Sequence, residues 1–138
     1  MPEHSRSFTS ELSRLPELRG FFNNICRAAW GVEPDDEALC QIELALQEAA
    51  TNIIRHAYRG ERGQPIDMTV SIDETTVEIT LRHNGDDFDP ATVQPPSFDG
   101  SRFGGFGIYM IQQLVDEVVY DRDAVGRAGV RLVKRRKK

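Results

Sequence analysis

Two runs of strict alternation, IDMTVSID (66–73) and TVEITLRH (76–83), follow two stretches of helical periodicity, and this order excludes most folds open to 138 residues. A short turn around Glu74 and Thr75 separates the runs, so they read as an antiparallel hairpin with one apolar face. Upstream, Leu15, Leu18, Phe21, Phe22, Ile25, Ala28 and Ala29 recur at helical spacing, and Gly31 ends that helix after Trp30. Pro34, Asp35 and Asp36 then supply proline and acids for the start of a second helix, which runs to about Tyr58. Leu39, Ile42, Leu46, Ala49 and Ile53 are its buried stripe. Ala45, Glu48, Asn52 and His56 form the adjacent stripe, at the border of the core, where a pocket can open.

The rest of the chain completes a layered pattern. SRSFT (5–9) reads as a short edge strand, and Gly60 and Gly63 mark a loop before the hairpin. Residues 84–103 hold an Asn-Gly pair and three prolines; a loop this long is usually a functional lid or a disordered segment. GGFGIYMIQQLVDEV (104–118) is a helix opened by glycines, and 118–123 with 129–135 form a closing hairpin. The expected architecture is α+β, a two-layer α/β sandwich in a single domain spanning 1–138. Its mixed, mostly antiparallel sheet carries three helices on one face.

Bulk properties narrow the function classes. The net charge is −5, yet the last five residues, KRRKK (134–138), are all basic. Setting these five aside from the 17 Lys and Arg leaves 12 against 22 Asp and Glu, a body of charge −10. So acidic a body repels nucleic acid, and the basic tail reads as a solvated chain end. No apolar run approaches membrane-spanning length and MPEHSRSF lacks a signal-peptide core, so a cytoplasmic location without membrane contact is expected. Cys26 and Cys40 lie singly within helical patterns and read as reduced core residues; His4, His56 and His83 are too scattered for a metal cluster.

Two features carry chemistry. Glu48 and Asn52 stand four residues apart, so a carboxylate and a carboxamide point the same way from one helix face. Gly104, Gly105 and Gly107 open a later helix, where free backbone N–H groups can hold phosphate. Alone, the first pair reads equally as a solvated polar stripe and the second as close helix packing. Together they suggest a Mg-nucleotide site.

The ordered set of E-x-x-x-N (48–52), FDP (88–90) and G-G-x-G (104–107) resembles the GHKL (Bergerat) ATPase fold. It looks most like the anti-sigma serine/threonine protein kinases of bacterial partner switching. QEAATNIIRHAY (47–58) is similar to that family's N-box, and GGFGIYMIQQLVDEVVY (104–120) to its glycine box and following helix. The resemblance covers nearly the whole chain and implies ATP and Mg²⁺ as cofactors. It makes Asn52 the magnesium ligand, Glu48 the base for an attacking hydroxyl, and Gly104, Gly105 and Gly107 the phosphate cradle. Arg102 reads equally as a phosphate contact or an exposed loop arginine. The implied partners are a small STAS-type anti-sigma antagonist as phosphoacceptor and a sigma factor as captured target. A homodimer is also implied; Phe21, Phe22 and Trp30 exceed what one helix face needs, although core packing explains them equally well.

One end of the pattern departs. The wider fold has Asp-x-Gly-x-Gly after the hairpin, its aspartate accepting a hydrogen bond from the adenine amino group. The matching residues here are His83, Asn84, Gly85, Asp86 and Asp87, which places His83, Gly85 and Asp87 at the base. Losing a charge-assisted hydrogen bond costs about 1.5–3 kcal/mol, or roughly 10- to 100-fold in affinity. The departure therefore implies weakened ATP binding, an adenine contact moved onto Asp87 or Asp89, or a non-catalytic partner-binding module with a degenerate pocket. Asp89 reads more simply as a turn cap before Pro90.

Overall fold

The computed structural model describes residues 2–85 and 106–136. Strand β1 (Glu3–Thr9) leads through a short 3₁₀ turn (Leu12–Arg14) into helix α1 (Leu15–Trp30), followed by α2 (Glu37–Asn52). Strands β2 (Pro65–Ile72) and β3 (Thr76–His83) precede helix α3 (Phe106–Leu114), and β4 (Glu117–Arg122) and β5 (Ala128–Arg135) close the chain. The sheet order is β1-β2-β3-β5-β4, with every adjacent pair antiparallel. The α+β sandwich is as expected, and the parallel pairing that a mixed sheet would need does not occur among the described strands. Both hairpins are tight, and the chain re-enters beside β3 with β5 running opposite to it.

Alternation decides which sheet face is covered. Ile66, Met68, Val70 and Ile72 of β2 and Val77, Ile79, Leu81 and His83 of β3 are buried, with the intervening residues half-exposed. Helix α1 presents Leu18, Phe22, Cys26 and Trp30, each four residues from the next, to this layer. Gly31 ends the helix in the left-handed region (φ +63°), where its N–H reaches Arg27 O at 2.8 Å. Helix α2 begins at Asp36, whose carboxylate accepts from Leu39 N at 3.0 Å. It buries Leu39, Ile42, Ala45, Leu46, Ala49 and Ala50. The same phase turns Cys40 outward, so that residue is exposed and only Cys26 belongs to the core.

Three further expectations change. The second helix does not stay α-helical to Tyr58: after Asn52 a single π turn covers Ile53–Ala57, closed by Tyr58 N on Ile53 O at 2.9 Å. The wider turn lets the neighbours Ile53 and Ile54, and then Ala57 and Tyr58, face inward together, leaving His56 exposed rather than on the pocket stripe. The basic tail is not a free end from residue 134, because Lys134 and Arg135 complete β5 opposite Val77 and Thr76. Arg136 lies over the Trp30 ring (5.1 Å), gives its backbone N–H to Thr75 O at 2.8 Å, and caps Trp30 O at 3.2 Å. The aromatic surplus of α1 is likewise taken up internally. Phe22 and Trp30 are buried, and Phe21 packs edge-on to Phe8 at 6.1 Å. Among the described residues, no helix is long and apolar enough to cross a membrane.

Candidate nucleotide site

A cavity of about 580 Å³ opens between α2, the π turn and the inner face of the sheet at the β3–β5–β4 end. Its size lies within the range of small-molecule sites. Strand register explains why it is there. His83 of β3 pairs with Ala128 of β5, and Ala128 pairs with Arg122 of β4. A methyl group between two long side chains leaves a gap over the sheet. Ala49, Ile53 and Ala57 roof it, and Val118, Tyr120 and Val130 extend its wall.

Asn52 and His83 both line this cavity, so the fold joins residues 31 positions apart in sequence (52 and 83). The Asn52 Nδ2 atom is buried with no hydrogen-bond partner. Turning the amide by 180° exchanges Oδ1 and Nδ2, so a carboxamide end stands ready for a ligand whichever way it sits. Glu48 lies one turn earlier on α2, half-buried and outside the cavity lining. Among the described residues there is no cluster of three His, Cys, Asp or Glu side chains fit for a metal. Mg²⁺ keeps waters and takes phosphate oxygens readily, so one carboxamide from Asn52 fits such an ion.

His83 is only 4% exposed, and its surroundings fix the ring. Nδ1 accepts from Gly85 N–H at 3.1 Å, and the Tyr58 ring meets the imidazole edge-on at 5.8 Å. Tyr58 Oη donates to Pro65 O (2.5 Å) and accepts from Asn84 N–H (2.7 Å), tying the π turn to both strands. Burial raises the Tyr58 phenol pKa, so the hydroxyl keeps the proton it donates. On the outer side, Arg127 holds Asn84 Oδ1 (Nε, 2.9 Å) and Asp67 (2.7 Å). The hydrogen bond from Ser7 (2.6 Å) and then Arg127 lower the Asp67 pKa.

Gly85 has a steric role. A Cβ there would stand 2.7 Å from Ala57 O and 2.8 Å from Ala57 C, both backbone atoms. Glycine is required because the π turn presses against the turn after β3. Gly85→Ala is expected to cost about 1–3 kcal/mol, the usual range for overpacking a tight site. Chemical denaturation would measure it, and an unchanged midpoint would show that the turn moves freely.

Gly107 is the second residue of α3. Asp87, Asp89, Arg102, Gly104 and Gly105 lie outside the described residues, as does most of the 84–103 loop. Sequence reading missed Tyr120, Arg122, Ala128 and Val130. Ala128 carries no chemical signature, and a gap made by a small residue appears only once strands are in register.

Comparison with known proteins agrees with this geometry. Residues 8–134 match the family model described as histidine kinase-like ATPase domain. The serine-protein kinase RsbW of Listeria innocua is 31% identical over 90 residues, covering 59% of this chain and 57% of that protein. RsbW of Oceanobacillus iheyensis is 29% identical over 90 residues, with the same coverage of 59% and 57%. RsbW of Staphylococcus aureus is 30% identical over 103 residues, covering 67% of this chain and 65% of its own. In each case the match spans less than two thirds of the relative's length.

Proposed function

Because the chain belongs to the histidine kinase-like ATPase domain family, we propose that it is an anti-sigma-type protein kinase. It would transfer the γ-phosphoryl group of ATP to a serine or threonine of a small STAS-type antagonist. The observation that carries this reading is the buried Asn52 carboxamide, with an unpartnered end, on the wall of a cavity large enough for a nucleotide. Asn52 would hold the magnesium ion, which when bound neutralises phosphate charge. Glu48 would take the hydroxyl proton as the acceptor oxygen bonds to phosphorus and the bond to the ADP oxygen breaks. Gly107, with Gly104 and Gly105, would let backbone N–H groups approach the phosphates. The names of the relatives, all serine-protein kinases, support the same chemistry.

The partner side of the reading is a sigma factor, sequestered as the alternative to phosphorylating the antagonist. Cytoplasmic action and self-association as a homodimer belong to it as well. Sedimentation showing a strict monomer would remove the dimer.

Calorimetric titration of ATP with and without Mg²⁺ tests the site. Mg-dependent binding is expected in the wild type and should weaken by roughly 10- to 100-fold in Asn52→Ala, the loss of one ligand to a charged group. No binding up to millimolar ATP would leave reversible partner capture, without catalysis, as the working function.

A further inference from the structure

We propose that the exposed ridge of α2 through Cys40 and Leu44 is the docking surface for the protein that accepts the phosphoryl group, with Leu44 as its apolar anchor. The inference rests on the reading of Glu48 as the base and adds where the second substrate sits.

Cys40, Leu44, Glu48 and Asn52 recur every four residues along α2, so their side chains form one slowly drifting stripe. Exposure falls along it. Cys40 and Leu44 are exposed, Glu48 and Asn52 are half-buried, and the Asn52 Nδ2 atom is enclosed at the cavity wall. The stripe thus leads from open surface to the cavity, and each step covers about 6 Å of helix. With nucleotide at the Asn52 end, a hydroxyl delivered to Glu48 is carried by a surface that lies over the exposed end, one turn away.

Leu44 marks that surface. Large apolar side chains among the described residues are exposed at Leu12, Leu44 and Val125. A lone exposed leucine is ordinary in itself. Leu12 lies before α1 and Val125 lies between β4 and β5, whereas Leu44, 38% exposed, adjoins Glu48. The core does not need it, since Leu39, Ile42, Ala45, Leu46 and Ala49 already fill the inward side of α2. The outer end of the ridge is acidic. Cys40 Sγ donates to Pro34 O at 3.5 Å, so the turn before α2 borders the ridge, and Glu33, Asp35 and Glu37 are exposed there. The fitting acceptor therefore carries a serine or threonine, an apolar side chain roughly one helical turn (about 6 Å) from it, and a basic group beyond. Delivery of a hydroxyl selects this acceptor as the occupant over a second copy of the chain or a captured sigma factor.

The test is steady-state transfer from Mg-ATP to a purified STAS-type antagonist by the full chain, as wild type, Leu44→Gln, Leu44→Met and Glu37→Gln. Glutamine keeps the helix propensity of leucine, so the fold is retained. Leu44→Gln is expected to raise the KM for antagonist roughly tenfold, the worth of the leucine surface that docking would bury. Both kcat and ATP affinity should stay within about twofold of wild type. Leu44→Met, which restores the apolar volume, should return KM to within about twofold. Glu37→Gln should raise it roughly two- to fivefold, the worth of one exposed ion pair, and no change there removes the basic group from the acceptor. Cys40 reports contact directly: antagonist at about ten times its Kd should slow alkylation of Cys40 roughly tenfold, in line with occupancy. ATP alone should leave the rate unchanged.

A structural role for Leu44 would lower kcat or ATP affinity along with antagonist affinity. That pattern, an unchanged KM in Leu44→Gln, or full Cys40 reactivity in the complex overturns the docking surface while leaving the kinase reading standing. Protection of Cys40 by raising the concentration of the chain alone gives the ridge to a second copy and also overturns it. Absence of transfer by the wild type overturns the kinase reading and this inference with it.

Discussion

Glu48→Gln is expected to lower phosphate transfer from ATP by roughly 10²- to 10⁴-fold, the range a positioned general base contributes. Nucleotide affinity should stay within about twofold, because a residue outside the cavity lining makes little ground-state contact with the ligand. Asn52→Ala should show the opposite pattern, with binding lost first. The two residues share one face of α2 at a spacing of one turn. A structural role for that face would make both variants lose binding alike, whereas the division of labour separates them. Transfer of ³²P from labelled ATP to the antagonist, measured beside calorimetry on the same preparations, gives both numbers. Normal turnover in Glu48→Gln would remove the glutamate from the mechanism.

Phe22→Ala carries the largest expected effect on stability, about 3–5 kcal/mol. Phe22 is completely buried in the middle of α1, between Leu18 and Cys26 on the stripe that faces the sheet. Truncation leaves a cavity that close-packed neighbours cannot refill. Against the roughly 5–15 kcal/mol that stabilises a typical domain, the variant should populate unfolded chains measurably. The cysteines supply the readout. Cys26 is buried, and burial followed by the nearby Asp36 charge pushes its thiol pKa up to about 12, so it reacts only when the fold opens. Cys40 is exposed and serves as the internal control. Labelling of Cys26 should accelerate roughly 150- to 4,000-fold in the variant, the same free energy expressed as an opening equilibrium. Cys40 should label at its wild-type rate. Unchanged Cys26 labelling would mean that Phe22 is not part of the barrier to opening.

The parts of the fold legible in sequence are those that local periodicity controls. TVEITLRH placed His83 on the apolar face of its strand, because side chains alternate sides whatever the sheet order. The acids and glycine flanking the helices marked their ends for equally local reasons, Asp36 by capping and Gly31 by adopting a positive φ. What failed was local pattern extended past a tertiary constraint. A uniform helical period carried the second helix through to Tyr58, yet the need to bury Ile53, Ile54, Ala57 and Tyr58 together inserts a π turn and expels His56. A run of five basic residues read as solvated, yet the final strand must extend to Arg135 to pair with Thr76, and Arg136 then finds the Trp30 ring and carbonyl.

Sequence by itself determined the layers, the covered face of the sheet, and the helix that presents Glu48 with Asn52, since each depends on spacing along one segment. Only the tertiary structure decided that Ala128 leaves a gap between His83 and Arg122, that Gly85 is pressed on Ala57, and that the Gly85 N–H meets His83 Nδ1. Each of those depends on atoms brought together by strand register and helix packing, and no spacing within a single segment encodes them.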